Sequence, residues 1–208
     1  LVLGILAFIG SALAHPAAQP GSAAPATILV LGDSLSAEYG LPRNSGWVAL
    51  LAARLAKEAP QYSVVNASIS GDTTSGGLAR LDPLLQRHHP AIAIIELGAN
   101  DGLRGLRIDA MQANLQAIID RCRANKTRVL LVGMRLPPNY GASYEEGFHA
   151  VFVELARRNR LALAPFLLDG FADRLEWFQA DHLHPLPQAE PRMLDNVWLP
   201  LRPLLRGQ

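Results

Sequence analysis

Short apolar runs alternate along this chain with longer stretches in which apolar residues recur every three or four positions. The runs at residues 27–31, 62–66, 91–97, 128–133 and 161–164 are rich in Val, Ile and Leu. Several are apolar throughout, as expected of strands in a parallel sheet covered on both faces. Between them, residues 47–59 bring Trp47, Leu50, Leu51 and Leu55 to one side of a helix. Residues 76–88 form a second helix, stopped by Pro90. Residues 109–125 start at Asp109, a candidate cap, and carry Met111, Leu115, Ile118 and Ile119 at helical spacing. Residues 143–159 repeat the pattern with Tyr144, Phe148, Val151, Phe152 and Leu155. A last helix over 188–205 is expected to be interrupted by Pro191, Pro200 and Pro203. Strand–helix alternation of this kind predicts a three-layer α/β/α domain. The irregular stretches 102–108, 135–142 and 166–186 should sit past strand ends, on one rim.

Composition narrows the picture. A chain of 208 residues, half of them hydrophobic, fills one domain with a full core. A net charge of +1 with scattered arginines gives no nucleic-acid footprint. The single cysteine, Cys122, excludes an intramolecular disulfide and reads as a small packed side chain. Residues 1–14 are apolar and uncharged and end Ser11-Ala12-Leu13-Ala14. They fall short of the roughly 20 residues of a membrane span, and the Ala-x-Ala ending fits a secretory cleavage site. The expectation is a signal-peptide remnant at 1–14, a flexible segment at 15–26 and one domain at 27–208. With the signal removed, the expectation is a periplasmic or secreted protein with no stable membrane insertion; a monomer is also expected.

The chemistry clusters at the predicted strand ends. The first strand stops abruptly at Gly32-Asp33-Ser34-Leu35-Ser36, which places a hydroxyl where open α/β sheets bind ligands. Position 36 is Ser rather than Gly, so this is not the Gly-x-Ser-x-Gly elbow. A serine needs a base to act as nucleophile. Asp181-His182-Leu183-His184-Pro185 supplies one, with a carboxylate to orient it. The three-residue spacing favours Asp181 with His184, and His182 competes for the role. No His-Glu-x-x-His or cysteine pair is present, and no metal or other cofactor is expected.

Acyl transfer also needs donors for the developing oxyanion. Gly71, in Ser70-Gly71-Asp72-Thr73, lets backbone approach a ligand and offer its N–H. Asn100, in Gly98-Ala99-Asn100-Asp101, offers a neutral amide. The apolar residues Leu103, Leu106, Leu136, Pro138 and Tyr140 of the neighbouring stretches are candidates for binding an acyl chain.

Gly32-Asp33-Ser34-Leu35, Gly71, Gly98-Ala99-Asn100-Asp101 and Asp181-x-x-His184 resemble the four blocks of the SGNH (GDSL) hydrolases. The resemblance is closest to the bacterial periplasmic branch of thioesterases, lysophospholipases and arylesterases. It rests also on Pro137-Pro138-Asn139-Tyr140-Gly141 and Leu194-Asp195-Asn196-Val197-Trp198, and spans about residues 27–205. It implies a flavodoxin-like fold with a five-stranded parallel sheet. Ser34 would be the nucleophile, His184 the base and Asp181 its orienter. The N–H groups of Ser34 and Gly71 and the Asn100 amide would form the oxyanion hole. The implied activity is hydrolysis of small-molecule acyl esters and thioesters. His182-Leu183 stands where that branch usually has Gly-Ile. Two other readings are a carbohydrate O-deacetylase of the same superfamily and a non-catalytic binding module. The apolar Gly102–Leu106 stretch favours an acyl chain over a sugar, and the intact site residues argue against lost catalysis.

Overall fold

A computed structural model describes residues 24–206. The expected signal remnant, and all but the end of the expected flexible segment, lie outside the described residues. The elements run β1 (Ala26–Gly32), α1 (Trp47–Glu58), β2 (Tyr62–Asn66), α2 (Thr74–His88), β3 (Ile92–Glu96), α3 (Ala99–Leu103), α4 (Ile108–Ala124), β4 (Arg128–Val132), α5 (Ala142–Asn159), β5 (Ala162–Ala164) and α6 (Glu190–Leu205). All strand pairs are parallel, in the order β2-β1-β3-β4-β5. α1 packs with α6, and α4 with α2 and α5. These are the two helical layers that cover the sheet, as the alternation predicts.

The strands are where the apolar runs place them because their side chains face helices on both sides. Ile28 to Leu31, Ile92 to Ile95 and Leu130 to Val132 are all fully buried. Cys122 is buried too, and burial pushes its thiol up to about 12, which makes it packing rather than a reactive group.

The structure departs from the sequence pattern in four places. α2 begins two residues early because the Thr73 side chain accepts from Gly76 N–H at 3.3 Å and caps it. Asp109 does not cap α4. Arg107 holds that position, and Asp109 pairs with it from inside the first turn. Residues 99–103, expected as a loop, form the short helix α3 after Gly98 turns the chain at φ +120. Lastly, α6 is continuous. Pro191 lies in its first turn, where no N–H is needed. The buried stripe of Met193, Leu194, Val197, Trp198 and Leu201 holds the helix together through Pro200 and Pro203. Among the described residues no helix is long and apolar enough to cross a membrane.

Candidate active site

The chain runs from β1 to β2 on one side, then crosses to β3 on the other. This topological switch opens a crevice beyond the carboxyl ends of β1 and β3. Ser34 follows β1 and Asn100 follows β3, so the two meet there although 66 positions apart.

The turn that carries Ser34 is held from within and from below. Ala37 N–H donates to Asp33 O at 2.9 Å and Tyr39 N–H to Ser34 O at 3.3 Å. Leu35 N–H donates to Asp33 Oδ1 at 3.0 Å. Beneath the turn lies Glu96, the last residue of β3 and fully buried. Its Oε2 accepts from Ser36 Oγ at 2.7 Å and from Asp33 N–H at 3.3 Å. A Cβ at position 32 would lie 2.8 Å from that oxygen and 2.7 Å from Ser36 Oγ, so only glycine fits there. Burial pushes the Asp33 carboxyl up to about 6 and that of Glu96 well above the usual range. Glu96 was not singled out in the sequence. The available signal was a carboxylate ending the otherwise apolar run Ile92-Ala93-Ile94-Ile95.

The second limb arrives from the loop before α6. An antiparallel bridge between Phe178 and Pro185 closes this loop, helped by Gln179 N–H to His184 O at 2.8 Å. Gln179 Nε2 also donates to Tyr39 O at 2.9 Å, which ties the loop to the serine turn. His184 Nε2 lies 2.9 Å from Ser34 Oγ and His184 Nδ1 lies 2.7 Å from Asp181 Oδ2. With the proton on Nδ1, the ring donates to Asp181 and accepts from the serine hydroxyl. Partial burial of Asp181 works against its ionisation. Hydrogen bonds from His184 N–H, the His184 ring and Leu183 N–H outweigh that and hold its carboxyl at about 2. Tyr39, also unforeseen, lays its ring 4.4 Å from the His184 ring. His182 lies in the same loop at φ +56, a left-handed conformation that costs energy for a residue other than glycine. His184, rather than His182, is the histidine that meets Ser34.

The candidate donors Asn100 and Gly71 lie in the neighbouring segments. Asn100 Nδ2 donates to Asp33 Oδ2 at 3.0 Å, so the carboxylate beside the serine turn orients the amide. Gly71 has φ +78, and its carbonyl accepts from Arg104 at 2.8 Å. Asp101 accepts from Thr74 N–H at 2.8 Å and from Thr74 Oγ1 at 2.6 Å, and so joins the start of α2 to α3.

A cavity of about 890 Å³ opens over Ser34, Asn100 and His184, walled by Leu103, Leu136 and Phe166. Of the residues expected to bind substrate, Leu103 and Leu136 line it. Leu106 and Tyr140 do not, which corrects the expectation. Leu106 is exposed, with its carbonyl held by Tyr144 Oη, and Tyr140 Oη donates to Leu103 O, supporting the wall instead of forming it. The Pro138 side chain lies outside what the structure describes. Among the described residues no group of three or more His, Cys, Asp or Glu is placed to hold a metal ion.

The fold and this arrangement define a class: an α/β hydrolytic enzyme with serine, histidine and aspartate gathered at the sheet's switch point. Residues 30–190 match the GDSL-like lipase/acylhydrolase family, and the chain belongs to that family. It is an ester or thioester hydrolase. It is 52% identical to esterase TesA of Pseudomonas aeruginosa, covering 88% of this chain and 91% of that one. It is 42% identical to thioesterase 1/protease 1/lysophospholipase L1 of Escherichia coli, covering 88% and 87%. The crystal structure of the psychrotrophic esterase EstA from Pseudoalteromonas sp., inhibited by monoethylphosphonate, superposes with a TM-score of 0.82 at 39% identity. That match covers 87% of this chain and 99% of EstA.

Proposed function

We propose that this enzyme hydrolyses acyl esters, aryl esters, acyl thioesters and lysophospholipids through an acyl-enzyme on Ser34. The observation that carries the reading is the unbroken relay of Ser34 Oγ, His184 and Asp181 at 2.9 and 2.7 Å. His184 Nε2 takes the hydroxyl proton as Ser34 Oγ attacks the carbonyl carbon. Asp181, still ionised, stabilises the imidazolium that forms. Negative charge then grows on the former carbonyl oxygen. The Asn100 amide and the N–H groups of Ser34 and Gly71 meet it. Collapse of the tetrahedral intermediate expels the alcohol or thiol, which takes its proton from His184. Water, activated by the same imidazole, releases the acid and restores Ser34.

The apolar walls of the cavity suit an acyl chain better than a sugar. Each buried methylene contributes roughly 0.8 kcal/mol, so about four would add roughly 3 kcal/mol, on the order of a hundredfold in binding. The apolar segment at residues 1–14 supports export of the enzyme to the periplasm or beyond. The direct test is labelling with a fluorophosphonate, followed by peptide mapping. The label should sit on Ser34 and be absent from Ser34→Ala. Labelling at any other serine refutes the assignment. On nitrophenyl esters, kcat/KM should rise from acetyl towards longer acyl groups and then level off.

A further inference from the structure

The cavity over Ser34 is not the only concavity on this rim. A second groove of about 530 Å³ runs along the outer face of α5, past His149, Val153 and Arg157. Arg135 and Glu145 line both. Arg135 leaves the end of β4, Glu145 stands in the first turn of α5, and their side chains pair at 3.0 Å. The ion pair is therefore the partition between the two spaces.

We propose that the Arg135–Glu145 pair closes the acyl cavity and sets the longest acyl chain it takes, the α5 groove being its blocked continuation. This rests on the acyl-cavity reading above. Three observations support it. The first is the sheet order: Ser34 follows β1 and Arg135 follows β4, two strands away, or about 10 Å at the usual interstrand spacing. The partition therefore stands across the cavity from the nucleophile, where the far part of an acyl chain would run. The second is the floor of the α5 groove, which contains Ala150 and Val153. Val153 is 44% exposed, an apolar surface that the core does not use. The third is the partition's make-up. The Arg135 side chain is 48% exposed and that of Glu145 17%, so the pair closes the space at its mouth, half in solvent and half against the wall. Its polar face also disfavours a methylene pressed against it, which gives the chain-length limit a physical cause.

The test compares kcat/KM across a nitrophenyl ester series, acetyl to palmitoyl, each value taken relative to the acetyl ester. Glu145→Ala and Arg135→Ala should each move the plateau to longer chains. Two further buried methylenes would raise the relative value on the order of tenfold for esters beyond the wild-type limit. The exchange Arg135→Glu with Glu145→Arg restores an ion pair and should bring the plateau back. If wild type shows no rise from acetyl, the acyl-cavity reading itself fails. If wild type rises and levels but both single variants level at the same length, the reading stands and the partition is refuted. An equal gain on every ester refutes it too. Thermal melts on each variant check folding, and the two single variants sit on different elements, so one folding failure leaves the other to decide.

Discussion

Ser36 Oγ donates to Glu96 Oε2 at 2.7 Å, across 60 positions of sequence. The bond fastens the turn that carries Ser34 to the last residue of β3, the strand that leads directly to Asn100. Asp33 completes the tie by donating its N–H to the same Glu96 oxygen and accepting from Asn100. Serine and amide donor are thus held in one frame of buried carboxyl groups. Such a frame suits a reaction whose transition state depends on sub-ångström placement.

Gly32→Ala tests that frame. The added methyl would press on Ser36 Oγ and Glu96 Oε2 and displace the serine turn. A shift near 1 Å costs on the order of a hundredfold in rate. We expect kcat to fall by about 10- to 100-fold with KM little changed. Wild-type kcat from a folded variant would mean that the close fit does not matter.

Asn100→Ala should lower kcat by roughly 10²–10³, the usual cost of one oxyanion donor. Ground-state affinity should change much less. Asp33→Ala frees the Asn100 amide without deleting it, so its loss should be smaller. Steady-state kinetics on one ester decide. A defect confined to KM would make Asn100 a binding residue.

The two histidines separate by mutation. His184→Ala should fall to the Ser34→Ala background, and the double variant should fall no further, because the pair acts as a unit. His182→Ala should keep most activity. The reverse ranking would overturn the assignment drawn from the 2.9 Å contact.

Glu190 makes stability depend on pH. Its carboxylate accepts from Trp47 N–H at 2.7 Å at the start of α1, yet burial pushes it up to about 7. Between about pH 4.5 and 7 the folded protein holds a proton that the unfolded chain has released. Stability from this group is therefore full at low pH and falls as pH rises through 7. Glu190→Gln keeps an acceptor for Trp47 and removes the charge. Its Tm should exceed that of wild type at pH 8 and match it near pH 4.5. Equal melting temperatures at pH 8 would show that the carboxylate is not penalised.

Esterase activity should survive dialysis against EDTA, since the proposed steps use only side chains and backbone amides. Loss of activity restored by a divalent ion would require a metal that the mechanism omits.

Much of the fold is legible in the sequence because burial on both faces of a parallel sheet leaves a local mark. The apolar runs place all five strands to within a residue or two. The positions of Ser34 and Asn100 past strand ends were also legible, because turn residues set between an apolar strand and a helix announce a strand end. Asp181 and His184 were singled out by their three-residue spacing, and the fold brings that pair to Ser34. Pattern failed where the deciding contact is distant. α6 runs through its prolines because its buried stripe packs on the domain, which no local propensity reports. Leu106 and Tyr140 looked like groove residues by type, but only the folded loops show that they stand outside the cavity wall. Glu96 under the serine turn, Tyr39 against His184 and the Arg135–Glu145 partition belong to the tertiary structure alone. Periodicity records which face of an element is buried, whereas a side chain's partner is set by how separate elements pack.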